Sequence, residues 1–267
     1  MTVVLITGCS SGFGLAAARA LALRGETVVA TVREPARMAP LVGASGKLEV
    51  VSLDVNDARS RKAAVDGMLT RYGRIDVLIN NAGIFSFGAT ESLGEADLRA
   101  LFETNVFAAF AMMAAALPGM RERRSGRIVN VTSVAAFGAR PYMSGYSASK
   151  HAMDALSSGM DHELRSFGVR IVTVAPAAFA TSIVRRQPDP GTPYGNAPSR
   201  HFDAFLQRMQ SRPDISPVTE AIVEAATACE PRRRYIVAPG DPAFDALAAE
   251  KERLENSRRP SPRQPAA

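Results

Sequence analysis

The fold is decided by the stretch Val3-Val4-Leu5-Ile6-Thr7-Gly8-Cys9-Ser10-Ser11-Gly12-Phe13-Gly14. Its four leading apolar residues predict a buried β-strand, and the glycine-rich turn leads into a helix rich in alanine and leucine. Such a junction can bind an anion, because glycines let the backbone approach a pyrophosphate and the helix N-terminus presents free N–H groups to it. The glycine spacing is G-x-x-x-G-x-G, and a plain tight turn is the alternative.

Outward from this stretch, apolar strand patterns alternate with helical patterns through most of the chain. Further strands are predicted at residues 27–32, 48–53, 75–79, 127–132, 169–175 and 234–238. Helices are predicted at about 57–72, 93–120, 146–167 and 218–229, and another is expected to start at Pro35. This order predicts an α/β fold: a single Rossmann-like, doubly wound parallel sheet of about seven strands with helices on both faces.

Residues 1–240 are predicted to form one nucleotide-binding catalytic domain, and residues 241–267 a C-terminal helix and tail. Between 177 and 217, closely spaced prolines and glycines interrupt the pattern, apart from a short helix near 200–210. A long irregular segment that leaves the C-terminal end of a strand is typical of a lid over a site. The end of the chain, 256–267, is rich in Arg, Pro and Ser and is expected to be disordered.

Composition excludes several classes of function. The 267 residues are 46% hydrophobic with a net charge of +6, which suits one large domain with a substantial core. The basic runs at 121–124 and 232–234 lack interleaved aromatic residues, so we interpret them as solvated faces and expect no nucleic-acid partner. Cys9 and Cys229 form no C-x-x-C pair and the histidines have no ligand spacing, so no metal site is predicted.

Tyr146 and Lys150 are the candidate acid/base pair. They are four residues apart in a predicted helix, so their side chains share one face. A nearby cation favours the phenolate and lowers the tyrosine pKa from its ordinary value of about 10. Ser133 follows the strand predicted at 127–132 and lies at its C-terminal tip, where open α/β sheets place their sites. A Tyr-x-x-x-Lys pair alone is a weak signal, and a surface helix is the alternative.

Other strand ends carry polar or small residues. The sequence Asn80-Asn81-Ala82-Gly83 follows the fourth strand, where amides can bond the backbone and small side chains leave room for a ligand. Asn105 is unfavourable in the middle of a helix, so it is either a satisfied core amide or a functional one. Thr31 offers no carboxylate to a ribose 2′-hydroxyl, whereas Arg33 could bind a 2′-phosphate or be a solvated loop residue.

With these motifs in this order, residues 2 to about 240 resemble the short-chain dehydrogenase/reductase family, in its single-domain form of about 250 residues. Its Thr-Gly-x-x-x-Gly-x-Gly motif matches residues 7–14, and its Asn-Asn-Ala-Gly motif matches residues 80–83. One departure follows the sixth strand, where the family has Pro-Gly and this chain has Pro176-Ala177. We expect this alanine to alter the exit of the lid slightly rather than to abolish binding.

The resemblance also implies catalytic roles for Asn105, Ser133, Tyr146 and Lys150. Tyr146 would exchange a proton with a carbonyl oxygen while a hydride moves to or from a nicotinamide, and Ser133 would hydrogen-bond the developing oxyanion. Lys150 would also hold the nicotinamide ribose, and Asn105 would anchor a water in a proton relay. The cofactor supplies the chemistry, and the protein aligns it.

The expected cofactor is NADP(H), with NAD(H) as the alternative, because Arg33 can pair with a 2′-phosphate. The predicted cofactor-binding residues are Gly8, Ser10, Ser11, Gly12, Phe13, Gly14, Thr31, Arg33, Asp54, Val55, Asn81, Ala82, Gly83, Tyr146, Lys150, Pro176, Phe179 and Thr181. The predicted substrate-binding residues are Ser133, Phe85, Phe137, Tyr142 and Met143, with Phe87 and Phe179 also expected to face the pocket. Arg140 is the only charge between Ser133 and Tyr146, which favours a neutral, hydrophobic substrate.

These features predict an oxidoreductase that transfers a hydride between NADP(H) and a lipophilic carbonyl compound or secondary alcohol. The sequence looks most similar to the branch of the family that acts on steroids, retinoids and related lipophilic compounds. Such a similarity does not identify the substrate, because one fold serves many functions. One alternative is an NAD(H)-dependent dehydrogenase of the same family. The other is a cofactor-binding regulator without catalysis, against which the presence of all four catalytic residues argues.

The cellular location and the oligomeric state of the protein are also predicted. The sequence shows no cleavage signal and no long apolar run free of charges or breakers, so we expect a cytoplasmic protein with no membrane partner. The helices predicted at 93–120 and 146–167 carry many small residues, which permit close contact between helices. Together with the family resemblance, this favours a homo-dimer or homo-tetramer.

Overall fold

The computed structural model describes residues 2–34, 47–181, 183, 193–240, 244, 246, 247, 250 and 253. Parallel strands form one seven-stranded sheet in the order β3-β2-β1-β4-β5-β6-β7. The strands are β1 Val3–Ile6, β2 Thr27–Val32, β3 Leu48–Ser52, β4 Val77–Asn80, β5 Gly126–Val131, β6 Val169–Pro176 and β7 Arg234–Val237. The predicted doubly wound parallel sheet is therefore confirmed.

Helices cover both faces of this sheet. They are α1 Gly12–Leu23, α2 Ala58–Tyr72, α3 Thr90–Phe102, α4 Ala108–Glu122, α5 Ser144–Leu164, α6 Ala197–Gln210 and α7 Ser216–Thr227. The helix predicted to start at Pro35 and the tail at 256–267 lie outside the described residues.

Strand order places a crevice beside β1. The chain adds β2 and β3 on one side of β1 and then β4 to β7 on the other side. Ile6 at the end of β1 is in register with Ala30 on β2 and Ile79 on β4. The segments that follow β1 and β4 therefore leave the sheet side by side, at the point where such folds bind ligands.

Alternate residues of β1 support two separate cores. Val4 and Ile6 belong to the core shared with α1 and α7, and Val3 and Leu5 to the core shared with α2, α4 and α5. Because successive side chains of a strand point to opposite faces, a strand buried on both faces is apolar throughout. This burial explains why the first strand has no polar residue.

The helix predicted at 93–120 is interrupted. Between α3 and α4 lies a π-helical turn, Glu103–Phe107, which contains Asn105. By length and composition the combined run Thr90–Glu122 could cross a membrane, with a mean hydropathy of 1.6 in its most apolar window. In the structure, Met112 and Met113 of this run are fully buried against the sheet, which is how a core helix packs.

The interpretation of 232–234 as a solvated face is wrong for two of its three arginines. The Arg233 guanidinium lies 3.3 Å from the Asp161 carboxylate, and Arg234 lies 2.9 Å from Asp154. The side chains of Arg233 and Arg234 are only 11% and 10% exposed. In the run at 121–124, Arg123 also donates to a backbone carbonyl, at 2.8 Å. Sequence could not show these two ion pairs, because each acid is more than 70 residues from its arginine.

The lid predicted at 177–217 contains more helix than expected. Helix α6 begins at Ala197, and Pro198 lies in its first turn. A helix accepts proline there because the N–H that proline lacks would have no partner within the helix. The helix buries Phe202, Phe205 and Met209. Residues 182 and 184–192 of the lid lie outside the described part of the chain.

Candidate active site

The glycine turn after β1 is locked to the segment after β4. The Thr7 hydroxyl accepts hydrogen bonds from the N–H groups of Asn81 and Ala82, both at 3.0 Å. The Asn81 amide donates to the carbonyls of Thr7 and Gly8 at 2.9 Å. Gly8 has a φ of +74°, and a Cβ there would lie 2.8 Å from the Ala82 Cα. The two motifs therefore form one rigid floor.

A cavity of about 770 Å³ extends from this floor to Tyr146. Its size falls within the usual range for small-molecule and cofactor sites. The N-terminus of α1 opens onto it with no acidic residue in the first turn, so its dipole and N–H groups suit a pyrophosphate. Gly12, with a φ of +58°, faces Thr181, and a Cβ there would come within 3.5 Å of that side chain. The residues present therefore fit a dinucleotide cofactor.

The structure brings most of the predicted cofactor residues to this cavity. Those that line it are Gly8, Ser10, Ser11, Gly12, Phe13, Arg33, Asp54, Val55, Asn81, Ala82, Gly83, Tyr146, Lys150, Pro176, Phe179 and Thr181. Gly14 and Thr31 do not line it. Thr31 is buried, and its hydroxyl donates to the Ile6 carbonyl at 3.0 Å, so it serves the sheet instead. Among the residues that sequence missed, Val32 and Thr104 also line the cavity.

Ser133, Tyr146 and Lys150 meet in the cavity wall. Burial raises the pKa of Tyr146 to about 12, and its hydrogen bond with Ser133 opposes this rise. Burial lowers the pKa of Lys150 to about 8. The Lys150 ammonium lies 5.8 Å from the centre of the Tyr146 ring and donates to the Val131 carbonyl at 3.1 Å. Contrary to expectation, the pKa of Tyr146 is raised rather than lowered, because burial outweighs the hydrogen bond with Ser133, and the phenol is protonated at neutral pH.

Asn105 is a fully bonded amide. Its oxygen accepts from the Ile84 N–H at 2.9 Å, and its nitrogen donates to the Ile84 carbonyl at 3.0 Å and to the Ser149 hydroxyl at 3.1 Å. The amide thus ties the segment after β4 to helix α5, which carries Tyr146 and Lys150. A Cβ on Gly83 would lie 3.2 Å from the Asn105 oxygen, so a larger residue there would crowd this amide. The structure therefore shows that the amide is satisfied and lies next to the candidate acid/base pair, and a functional role for Asn105 stays a prediction.

The wall beside Tyr146 is aromatic. Phe85 packs edge-on against Tyr146, with ring centroids 4.8 Å apart, and stacks on Phe205 of α6 at 5.0 Å. Of the predicted substrate residues, Phe85, Ser133, Phe137, Met143 and Phe179 line the cavity. Phe87 and Tyr142 do not line it, because they pack together behind it, with Phe87 also against Phe202.

Helix α6 supplies wall residues that the sequence did not predict. Phe205, Arg208 and Met209 of this helix line the cavity, as does Arg212, which follows it. The spacing of Phe202, Phe205 and Met209 by three and four residues is the signal that could have identified a buried helix face here. Among the described residues, no group of three or more His, Cys, Asp or Glu side chains could hold a metal ion.

Comparison with known proteins agrees with this geometry. A family model described as short chain dehydrogenase matches residues 2–190. Oxidoreductase BOA17 of Botryotinia fuckeliana is 32% identical over 251 residues, which cover 92% of each chain. The 17-beta-hydroxysteroid dehydrogenase type 1 of Mus musculus is 34% identical over 252 residues, covering 88% of this chain and 73% of that one. The chain spans only 64% of a 37% identical 3-ketodihydrosphingosine reductase from Bacteroides thetaiotaomicron, and that match covers 67% of this chain.

Solved structures show the same fold. A short-chain dehydrogenase from Streptomyces avermitilis is 34% identical with a TM-score of 0.83, covering 96% of this chain and 94% of that one. Two neighbours at 24% identity share the fold and hold NADH in one structure and NADP in the other. Fold and site together define an NAD(P)-dependent oxidoreductase of the Rossmann type. The chain belongs to the short-chain dehydrogenase family, as the sequence resemblance predicted.

Proposed function

We propose that this enzyme transfers a hydride between NADP(H) and an apolar carbonyl compound or secondary alcohol, with Tyr146 as the general acid/base. The observation that carries this proposal is the meeting of Ser133, Tyr146 and Lys150 in one cavity wall beside the glycine turn and the aromatic ring of Phe85. An aromatic wall suits a lipophilic substrate, and the similar mouse protein is named as a hydroxysteroid dehydrogenase.

Each residue has a defined task in this reaction. When bound, the nicotinamide supplies the hydride in reduction and accepts it in oxidation. In reduction, the neutral Tyr146 hydroxyl donates its proton to the carbonyl oxygen, and in oxidation the phenolate takes the proton back. The Ser133 hydroxyl holds the same oxygen and stabilises the charge that develops on it. Lys150, held by the Val131 carbonyl, places a positive charge near the phenolate, and Asn105 keeps helix α5 in register with the floor.

A substrate screen tests the function directly. The absorbance of reduced nicotinamide is followed with a panel of ketones and secondary alcohols, in both directions and with both NADP(H) and NAD(H). We expect turnover with apolar members of the panel and little with small polar ones. Tight cofactor binding without turnover of any panel member would contradict the proposed function.

The preference for NADP(H) depends on Arg33. This arginine is exposed and lines the cavity at the end of β2, where a guanidinium can pair with a 2′-phosphate in a bidentate manner. Arg33→Ala should raise the KM for NADPH about tenfold to a hundredfold, which is the effect of one charge-assisted contact, and should leave the KM for NADH nearly unchanged. Steady-state kinetics with both cofactors measures this difference.

Arg99→Ala is the matched control, since Arg99 is 77% exposed and pairs with Glu95 away from the cavity. It should change neither KM. If the unmodified enzyme uses both cofactors equally, or if Arg33→Ala affects both alike, then Arg33 is a solvated loop residue and the preference for NADP(H) is refuted.

We also propose that the enzyme is a homo-dimer or homo-tetramer. The outer face of helix α4 and the π-helical turn before it exposes Phe107 by 56% and Phe110 by 44%, beside the small residue Ala114. Exposed aromatic side chains of this kind suit an interface, and an isologous contact between two copies would cover them. Light scattering at micromolar concentration should show a multiple of 28.4 kDa.

Phe107→Asp should shift that mass towards a single chain, because a carboxylate would then be buried in the interface. Leu23→Asp is the control, since Leu23 is 78% exposed on another helix and should leave the mass unchanged. A 28.4 kDa species alone, in the unmodified protein, would exclude the oligomer.

A further inference from the structure

Three arginines line the part of the cavity that the lid covers. Arg208 belongs to helix α6, Arg212 follows that helix, and Arg140 precedes helix α5. The Arg212 guanidinium donates to the Pro239 carbonyl at 3.5 Å. No carboxylate partner exists for Arg140 or Arg208 within the described part of the chain. The expectation of a neutral substrate rested on Arg140 as the only charge between Ser133 and Tyr146, whereas the fold brings Arg208 and Arg212 to the same cavity.

These cations are close enough to repel one another. Partial desolvation lowers the pKa of Arg208, which is still exposed to solvent, and the charges of Arg140 and Arg212 lower it further. Among the described residues that line the cavity, Asp54 is the only acid, and it follows β3 on the cofactor side, away from α6. Like charges that face one another without a nearby acid among the described cavity residues repel, and an anionic group bound among the three guanidinium groups would relieve that repulsion.

One face of helix α6 connects the three arginines with the candidate reacting centre at Tyr146. Phe205 and Arg208 are three residues apart on α6, so their side chains share a face. Phe205 stacks on Phe85 at 5.0 Å, and Phe85 in turn packs against Tyr146 at 4.8 Å. A molecule whose carbonyl meets Tyr146 therefore passes along an aromatic wall and ends beside the arginines.

We infer that the substrate is an apolar carbonyl compound or secondary alcohol that also carries an anionic group, such as a carboxylate, which Arg140, Arg208 and Arg212 bind. The apolar body of the molecule packs on Phe85 and Phe205, and its carbonyl or hydroxyl group lies at Tyr146. Guanidinium groups suit this task because they pair with carboxylates in a fixed, bidentate geometry. This substrate class rests on the proposed function and narrows it.

Matched substrate pairs test the inference. The probes are long-chain oxo acids with the ketone at different positions and 3-oxo steroid carboxylic acids, each assayed beside its own methyl ester. We expect kcat/KM for at least one acid to exceed that of its ester about tenfold or more, the effect of one charge-assisted contact. Arg208→Gln should remove most of this preference by raising the KM for the acid. Added salt should weaken binding of the acid alone.

Arg99→Gln is the control, because it removes one positive charge from an exposed pair outside the cavity and should leave the preference intact. If kcat/KM for each ester equals that for its acid, the inference is overturned while the proposed function stands. If Arg208→Gln raises the KM for the cofactor instead, the arginines serve the cofactor and the inference is again overturned.

If no acid or ester is turned over, the proposed function fails, and calorimetry with the cofactor-loaded enzyme decides the inference separately. Binding of an acid that exceeds binding of its ester, and that Arg208→Gln weakens, supports the anion site. The absence of acid binding overturns it.

Discussion

Replacing Tyr146 with phenylalanine is expected to reduce turnover at least a hundredfold while leaving cofactor binding intact. The substitution removes one oxygen, which is the proton donor in the proposed reaction, and general acid/base catalysis typically contributes about 10²–10⁴ in rate. The ring itself remains, so its edge-on contact with Phe85 at 4.8 Å should hold the cavity wall in place. Steady-state turnover and cofactor titration by fluorescence measure the two properties on the same sample.

Tyr72→Phe is the matched control for this experiment. It also removes one phenolic hydroxyl, but that hydroxyl donates to Glu49 at 2.7 Å, and neither residue lines the cavity. Turnover by this variant should equal that of the unmodified enzyme. Should Tyr146→Phe retain more than about a hundredth of the rate, the group is too weak a contributor to be the general acid, and another proton donor must be sought.

Local patterns predicted the architecture because each of them is physically self-contained. The apolar strand Val3–Ile6 and the turn that follows specify a buried strand and a helix start within 14 residues. The four-residue spacing of Tyr146 and Lys150 depends only on the helix repeat. Ser133 could be placed at a strand end from the apolar run before it. Such features need no knowledge of distant contacts.

Properties that depend on distant partners were not predictable in this way. The pKa of Tyr146 depends on its burial under Phe85, and the partner of Asn105 is a backbone segment 21 residues away. The cationic character of the cavity arises only when the fold brings Arg208 and Arg212 to the same cavity as Arg140. Arg233 and Arg234 look like surface charges in the sequence, yet both pair with acids on helix α5.

The second large effect is expected from Asp161→Asn, which should lower the free energy of unfolding by about 3–5 kcal/mol. Asp161 is fully buried, and its carboxylate accepts from Arg165 at 2.8 Å, Arg170 at 3.0 Å and the Ile171 N–H at 2.9 Å, with Arg233 at 3.3 Å. Removing the charge leaves three guanidinium groups without their counter-ion in a poorly solvated place. The loss is a large share of a typical total of about 5–15 kcal/mol, and urea denaturation measures it.

Asp66→Asn removes the same charge from a pair that is exposed, with side chains 76% and 54% accessible. Exposed pairs contribute little, so this control should change stability by less than about 1 kcal/mol. Equal losses in the two variants would show that burial of Asp161 adds nothing to its ion pairs.

The pH dependence separates the charge of Asp161 from its packing. Burial raises the pKa of Asp161, but the bonds from Arg165 and Ile171 and the charge of Arg170 outweigh it, and the pKa lies below its ordinary value. A lowered pKa stabilises the fold fully above the unfolded value of about 3.9, and that stabilisation is lost as the pH falls towards the folded value. The stability difference between the unmodified enzyme and Asp161→Asn should therefore be constant near neutral pH and shrink below about pH 4. A difference that stayed constant through this range would assign the loss to altered packing rather than to the carboxylate charge.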